Sequence, residues 1–93
     1  MKRNIFITGA SSGIGKSMAY SFGKNGDNLI LCARRKEKLQ EIKNDIEGRY
    51  GVKVDIYELD VTGYEKVRDT VEEIIKNSGK IDVLINNAGL ALG

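Results

Sequence analysis

The sequence predicts an α/β fold in which a doubly wound parallel sheet is built from alternating strands and helices. Three observations carry this prediction: the apolar pattern switches repeatedly between strand and helix periodicity, the strands are apolar on successive residues, and the connections are short. Strands that are apolar throughout are covered on both faces, as in a parallel sheet. The element order is β-α-β-α-β-α-β, and right-handed crossovers in a doubly wound sheet give the strand order 3-2-1-4.

Each element is predicted from its own apolar pattern. Four strands are expected, at residues 4–8, 28–33, 54–59 and 82–86. Three helices are expected, at residues 11–25, at residues 36–49, and from the capping-box pair Thr62 and Glu65 to residues 78–79. In the first helix Ile14, Met18 and Phe22 recur at i, i+4 and i+8, so we expect them to form its buried face.

The other two helices have amphipathic patterns. The second carries apolar residues on one face, and its alternating charges over residues 36–45 are expected on the solvated face. In the third helix four residues are expected to face inward: Val67, Val71, Ile74 and Ile75. No linker or internal repeat interrupts the pattern, which predicts that residues 1–93 belong to one domain.

Composition excludes several classes of protein. Fifteen Lys and Arg residues against 13 Asp and Glu give a net charge of +2 without histidine, so no nucleic-acid-binding field is expected. The single cysteine, Cys32, excludes an intramolecular disulfide and is expected to be a small buried hydrophobe. No apolar run approaches the roughly 20 residues of a membrane span or the roughly 7 to 15 of a signal-peptide core. We therefore expect a cytoplasmic chain with neither nucleic-acid nor membrane partners.

A glycine-rich segment, TGASSGIG at residues 8–15, lies between the first predicted strand and the first helix. Glycines at this place allow a tight turn and let the phosphates of a ligand approach backbone N–H groups, while the helix N-terminus favours an anion. The alternative is a glycine-rich turn in which Ser11 or Ser12 caps the helix. The spacing G-x-x-x-G-x-G differs from the G-x-G-x-x-G dinucleotide fingerprint.

This segment, together with NNAG at residues 86–89, resembles the classical short-chain dehydrogenase/reductase family. Two further features agree with the resemblance: Asp60 and Val61 after the third strand, and Ala33-Arg34-Arg35 after the second. The resemblance covers the whole chain and implies a Rossmann-like fold. Residues 32–39 and 86–93 are also similar to the branch that oxidises serine and other 3-hydroxy acids.

The resemblance implies a role for each matching residue. Gly9, Gly13 and Gly15 would line the cofactor pyrophosphate together with Ser11 and Ser12, and Ile14 would close over the nicotinamide side. Asp60 and Val61 would meet the adenine. Three residues would pass beside the ribose: Asn87, Ala88 and Gly89. Two alternatives remain open, since Asp60 could be a strand-end turn residue and the Asn86-Asn87 pair could form a turn without touching a ligand.

The end of the second strand predicts which nicotinamide cofactor is bound. An acidic residue about 20 positions after the glycine loop accepts hydrogen bonds from the ribose 2′-OH of NAD. Here that acid is absent, and Arg34 and Arg35 follow Ala33 directly. A guanidinium can bind a 2′-phosphate in bidentate fashion, so we expect NADP rather than NAD. The alternative is that both arginines are solvated charges at a helix start.

The resemblance implies an NADP-dependent oxidoreductase that moves hydride between its cofactor and a small alcohol or carbonyl substrate. In this family the tyrosinate of a Tyr-x-x-x-Lys pair acts as general acid/base, while the lysine lowers the pKa of the tyrosine and holds the ribose. A serine and an asparagine precede the pair, and all four follow the segments matched here. Tyr20 and Lys24 have that spacing, but they lie on the helix after the glycine loop, and we interpret the match as chance.

The chain is therefore expected to be the N-terminal, cofactor-binding portion of a longer fold, inactive on its own. The alternative is a truncated nucleotide-binding fragment that needs a partner or the missing half. Because the fourth strand would be an apolar edge, a homo-oligomer is also expected.

Overall fold

A computed structural model describes residues 2–59 and 64–87, which form a single parallel sheet with helices on both faces. Four strands and three helices alternate along these residues: β1 (Asn4–Thr8), α1 (Gly13–Lys24), β2 (Asn28–Ala33), α2 (Lys36–Tyr50), β3 (Val54–Glu58), α3 (Tyr64–Ser78) and β4 (Val83–Ile85). The strand order is β3-β2-β1-β4, and every neighbouring pair is parallel. The predicted Rossmann-like α/β fold and its strand order are thus confirmed.

The two faces of the sheet have separate cores because side chains alternate along each strand. On one face Ile5, Ile7 and their β2 neighbours pack against α1 and α2. On the opposite face Phe6, Ile30 and Cys32 pack with residues of α3. The central strands β1 and β2 are therefore buried on both sides, which explains why their sequences lack polar alternation.

Helix α1 packs most closely through small residues, and the predicted apolar row contributes only in part. Its fully buried positions are Gly15, Ala19 and Gly23. Of the predicted apolar row, Met18 and Phe22 are half-buried and pack against the core, whereas Ile14 is 70% exposed and its predicted burial was wrong. A Cβ atom at Gly23 would lie 2.8 Å from Cγ2 of Ile46 in α2. The small residues let the helix approach α2 and the sheet more closely than a row of large side chains would allow.

Helix α3 follows its prediction at three of four positions. Val67 and Ile74 are buried and Val71 is half-buried, whereas Ile75 is half exposed. Consecutive helical residues point about 100° apart, so Ile75 turns away from the sheet when Ile74 faces it. The predicted capping residue Thr62 lies outside the described residues. None of the helices described is long and apolar enough to cross a membrane.

The outer edge of β3 is covered at one point by side chains of α2. Lys43 Nζ donates a hydrogen bond to the carbonyl of Val54 at 2.8 Å, and the amide of Val54 donates to Glu47 Oε2 at 3.0 Å. Leu29 of β2 lies opposite Val54, but its amide donates to the carbonyl of the preceding residue, Lys53. The backbone N–H and C=O of Val54 itself therefore point away from β2. The backbone N–H and C=O of Val54 are therefore hydrogen-bonded without a neighbouring strand on that side.

A buried carboxylate fastens the start of β1 to the turn before β2. Asp27 is 4% exposed and accepts hydrogen bonds from Arg3 Nε at 3.1 Å and Arg3 Nη2 at 3.0 Å. Asn25 Nδ2 donates a further bond at 3.1 Å. The Arg3 guanidinium, by donating these bonds, holds the pKa of the Asp27 carboxyl below its usual value. This pair ties together the amino ends of the two central strands.

We predict that Asp27→Asn lowers the free energy of unfolding by about 1 to 3 kcal/mol near neutral pH, because Arg3 loses a charged acceptor. A carboxyl whose folded-state pKa is depressed contributes stability that is present above its unfolded pKa of about 3.9 and disappears as the pH falls through the folded value. The stability difference between the two proteins should therefore shrink below about pH 4. Urea unfolding at a series of pH values measures it.

Asp69→Asn, at an exposed position of α3, is the matched control and should have little effect at any pH. An Asp27→Asn protein as stable as the parent at pH 7, or a difference that grows in acid, would contradict this account of the Arg3–Asp27 pair.

Candidate functional site

A cleft of about 660 Å³ lies at the carboxyl ends of β1, β2 and β3. We call it the first cleft. Its walls come from three segments, namely the glycine loop after β1 (Thr8, Gly9, Ser11, Ser12), the end of β2 and the start of α2 (Cys32, Ala33, Arg34, Arg35, Lys38), and the end of β3 (Glu58, Leu59). Five predicted site residues are therefore brought together at the edge where doubly wound sheets bind ligands: Gly9, Ser11, Ser12, Arg34 and Arg35.

The glycine loop depends on glycine at three positions for different reasons. Gly9 and Gly13 have φ angles of 62° and 57°, in the left-handed region that other residues rarely adopt. Gly15 has ordinary helical geometry, but a Cβ atom there would lie 2.3 Å from the Gly9 carbonyl oxygen. The amide of Ala10 donates to the Cys32 carbonyl at 3.1 Å and holds the loop against β2. The loop thus folds back tightly on the start of α1.

The start of α1 is not capped by a side chain. Ser12 occupies the N-cap position with extended φ and ψ angles, but its side chain makes no capping hydrogen bond. The first turn of α1 also contains no acidic residue. This differs from the alternative in which a serine hydroxyl satisfies the helix start, and it leaves the positive end of the helix dipole directed toward the glycine loop.

Asn87, after β4, is bound to the glycine loop. Its Nδ2 atom donates to the Gly9 carbonyl at 3.2 Å and would lie 2.9 Å from a Cβ atom at Gly15. Nearby, the Thr8 hydroxyl lies 3.4 Å from the Ile85 carbonyl and from Asn86 Oδ1. The Asn86-Asn87 pair therefore links the segment after β4 to the end of β1 and the glycine loop.

The remaining predicted site residues divide into two groups. Gly13 and Ile14 begin α1, and Ile14 is 70% exposed beside the glycine loop rather than packed in the core. The other four lie outside the described residues: Asp60, Val61, Ala88 and Gly89.

Positive charge accumulates on one wall of the first cleft. Arg34 and Arg35 are exposed, and within residues 2–59 and 64–87 neither makes an ion pair. Lys38 also lines this cleft, although its charge pattern had placed it on the solvated face of α2. No pattern in the sequence distinguishes Lys38 from the other charged residues at the start of α2, so its place in the cleft is known only from the structure. Glu58 supplies one negative charge from β3.

Tyr20 is engaged away from the first cleft. Its hydroxyl donates to Asp45 Oδ2 at 2.5 Å, which joins α1 to α2, and Arg49 Nε donates to Asp45 Oδ1 at 2.8 Å. The bond to Asp45 raises the pKa of Tyr20 and lowers the pKa of Asp45. A tyrosine that is stabilised in its protonated form as a helix-to-helix contact is unsuited to act as a tyrosinate base, which supports interpreting the Tyr20/Lys24 spacing as chance.

Cys32 is 1% exposed within β2, and burial raises the pKa of its thiol to about 12. The thiolate is the nucleophilic form, so this side chain is an inert part of the core, as expected from the sequence.

Comparison with known proteins agrees with this geometry. A family model described as short chain dehydrogenase matches residues 3–93. The chain is 48% identical over 92 residues to the NADP-dependent 3-hydroxy acid dehydrogenase of Schizosaccharomyces pombe, covering 98% of this chain and 36% of the relative. It is 44% identical over 93 residues to an oxidoreductase of Mycobacterium tuberculosis, covering 99% of this chain and 37% of the relative. The chain thus spans about a third of the length of these curated relatives.

A solved structure gives the same correspondence in three dimensions. L-sorbose reductase from Gluconobacter frateurii, complexed with NADPH and L-sorbose, superposes with a TM-score of 0.88 at 38% identity. The match covers 95% of this chain and 34% of the reductase chain.

Two glycine-to-alanine substitutions, one at Gly15 and a control at Gly48, test the close contact between Gly15 and Gly9. Gly15→Ala should lower the free energy of unfolding by about 1 to 3 kcal/mol, because the new methyl group meets a backbone carbonyl that cannot move independently. Gly48 is a second helical glycine without a positive φ, and a Cβ atom there would meet nothing within 4 Å. Gly48→Ala should instead raise stability by about 0.5 to 1 kcal/mol. Thermal unfolding of both variants checks this, and the same sign of change for both would contradict the steric argument.

Proposed function

The chain belongs to the short-chain dehydrogenase family, and from this premise we propose that residues 1–93 form the NADP(H)-binding portion of an oxidoreductase acting on an alcohol/carbonyl pair. The observation that carries the cofactor assignment is the first cleft, where a glycine loop and two arginines without ion pairs among the described residues face the same space. When bound, a nicotinamide dinucleotide supplies the hydride chemistry, and the protein supplies binding and orientation.

The residues of the glycine loop fit a pyrophosphate. Gly9 and Gly13 give the loop its turn, and the close approach of Gly15 leaves no side chain between the loop backbone and the helix start. The hydroxyls of Ser11 and Ser12 and the uncapped amides of α1 would donate hydrogen bonds to phosphate oxygens. Ile14, exposed beside this loop, would offer an apolar surface to the nicotinamide side.

Arg34 and Arg35 favour NADP(H) over NAD(H). They follow the end of β2, where an NAD-binding fold places an acid, and Ala33 stands there instead. A carboxylate at that position would repel a 2′-phosphate, whereas a guanidinium can bind it with two hydrogen bonds. The relative from S. pombe is named for NADP dependence, and the L-sorbose reductase structure holds NADPH. We assign Arg34 as the main phosphate contact and Arg35 as a second contact that can stack on the adenine.

The family resemblance supplies the rest of the proposed cofactor site. Asp60 and Val61 would contact the adenine, and Asn87, Ala88 and Gly89 would pass beside the ribose. Of these, Asn87 already holds the Gly9 carbonyl, which fixes the turn after β4 next to the glycine loop.

The proposed substrate is a hydroxy acid or a related small alcohol. This rests on the 48% identity to a 3-hydroxy acid dehydrogenase and on the similarity of residues 32–39 to that branch of the family. The proton-transfer serine and Tyr-x-x-x-Lys pair would come from the portion of the family fold that these residues do not match.

Reversing one charge at the end of β2 should change cofactor preference. In the complete enzyme, Arg34→Asp is expected to weaken NADP(H) binding by about 2 to 4 kcal/mol, because a guanidinium–phosphate pair is replaced by like-charge repulsion. NAD(H) binding should be nearly unchanged. Titration of intrinsic or NAD(P)H fluorescence measures both dissociation constants.

Arg68→Asp, on the exposed surface of α3, makes the same change in net charge at a residue that does not line the first cleft, and it serves as the control. Equal losses for both cofactors in Arg34→Asp, or a parent enzyme that prefers NAD(H), would overturn the assignment.

The 93-residue chain by itself should show no alcohol-dependent reduction of NADP⁺ or NAD⁺. No tyrosine among the described residues lines the first cleft, and the Tyr20 hydroxyl is bound to Asp45. Spectrophotometric assay of the purified, mass-verified chain with hydroxy acids and simple alcohols provides the measurement. Turnover that disappears in Tyr20→Phe would overturn this prediction, whereas cofactor binding without turnover would fit a nucleotide-binding module that needs further chain or a partner.

A further inference from the structure

Lys38 occupies the junction of two clefts. The first cleft has been described; a second, of about 460 Å³, lies between α1 and α2 and is lined by Lys16, Tyr20 and Asp45 among others. Of the described residues, two line both clefts: Ser11 from the glycine loop and Lys38 from the first turn of α2. Lys38 and Ser11 therefore bring a cationic side chain and a hydroxyl to the place where the two clefts meet.

The charge of Lys38 has no ion-pair partner among residues 2–59 and 64–87. Within the part of the chain that the structure describes, no carboxylate lies within 4.0 Å of its ammonium group, although Glu41 and Asp45 line the second cleft. A cation in the first turn of a helix opposes the helix dipole, so this position is unfavourable for the isolated helix. Lys36 shares the same turn and the same exposure but lines neither cleft.

The charge balance of the first cleft indicates what Lys38 binds. Of the described residues lining it, Arg34, Arg35 and Lys38 are positive and Glu58 is negative, which leaves a net charge of +2. A phosphate monoester carries about −1.5 to −2 at pH 7, which the net charge of +2 balances. Without Lys38, the two arginines and Glu58 would leave a net charge of only +1.

We propose that Lys38 is a third phosphate-binding cation of the first cleft and contributes to selectivity for a dinucleotide that carries a 2′-phosphate. This inference rests on the proposed function and adds to it a residue outside the glycine loop and the arginine pair. Lys38 supplies a mobile point charge, which complements the planar, bidentate guanidinium of Arg34.

The test compares three variants of the protein by isothermal titration with NADP⁺ and with NAD⁺. Lys38→Gln keeps most of the stem and removes the charge, so it should weaken NADP⁺ binding about ten-fold and NAD⁺ binding less than about two-fold. Lys38→Arg should remain within about three-fold of the parent for both cofactors. Lys36→Gln removes the neighbouring charge and should change neither affinity.

A second pair of probes isolates the phosphate. Adenosine 2′,5′-bisphosphate should bind less tightly to Lys38→Gln than to the parent, and ADP should bind both equally. Thermal unfolding of each variant verifies that the fold is intact, as expected for an exposed side chain without hydrogen bonds to described residues.

The outcomes separate this inference from the proposed function. A parent protein that binds neither cofactor, or binds both equally, overturns the proposed function and this inference with it. A parent that prefers NADP⁺, combined with a Lys38→Gln variant that matches Lys36→Gln or loses both cofactors equally, overturns only the role of Lys38.

Discussion

The close contact between Gly15 and the Gly9 carbonyl constrains the arrangement of the whole site. It joins the end of β1 to the start of α1 at a distance that no larger residue permits. The same carbonyl accepts the side-chain amide of Asn87, so the turn after β4 is fixed to the same point. The loop's other anchor, the bond from Ala10 to Cys32, connects it to β2. The carboxyl ends of three strands, β1, β2 and β4, are thereby connected to one short loop.

The small residues of α1 extend this constraint along the helix. Because Gly15, Ala19 and Gly23 face inward, α1 lies close to the sheet and to α2, and Tyr20 reaches Asp45 across the gap. The two helices then present their amino ends to the same edge of the sheet. An anion bound there would meet backbone amides from one helix and cationic side chains from the other, without any rearrangement of the core.

The sequence was sufficient to predict the fold, because each strand and helix has a distinct apolar period and glycine marks the turns. The bounds of β1 and β2 agree with the prediction, whereas β4 is shorter by a residue at each end. The most buried positions of α1 could not be predicted from hydrophobicity, since its close packing selects small side chains over large apolar ones. For the candidate site, the glycine motif predicted Gly9 and Ser11, and the missing acid after β2 predicted Arg34. The structure places all three around the first cleft.

Other features of the site required three-dimensional information. Lys38 was hidden among alternating charges, and only the position of α2 relative to the glycine loop distinguishes it from Lys36. The bond from Asn87 to Gly9 joins residues 78 positions apart, and no local pattern could indicate that the two meet.

The side chains of Lys43 and Glu47 make the two edges of the sheet unequal in their access to a further strand. Both polar groups of Val54 are already bound there, so a strand approaching from that side meets an occupied position. On the other side Leu84 of β4 is 44% exposed, and its strand is paired only with β1 among the described residues. Among the described residues the two edges of the sheet thus differ, since side chains of α2 occupy one position of β3 whereas Leu84 leaves part of β4 accessible. A further strand would therefore meet less obstruction at β4 than at β3.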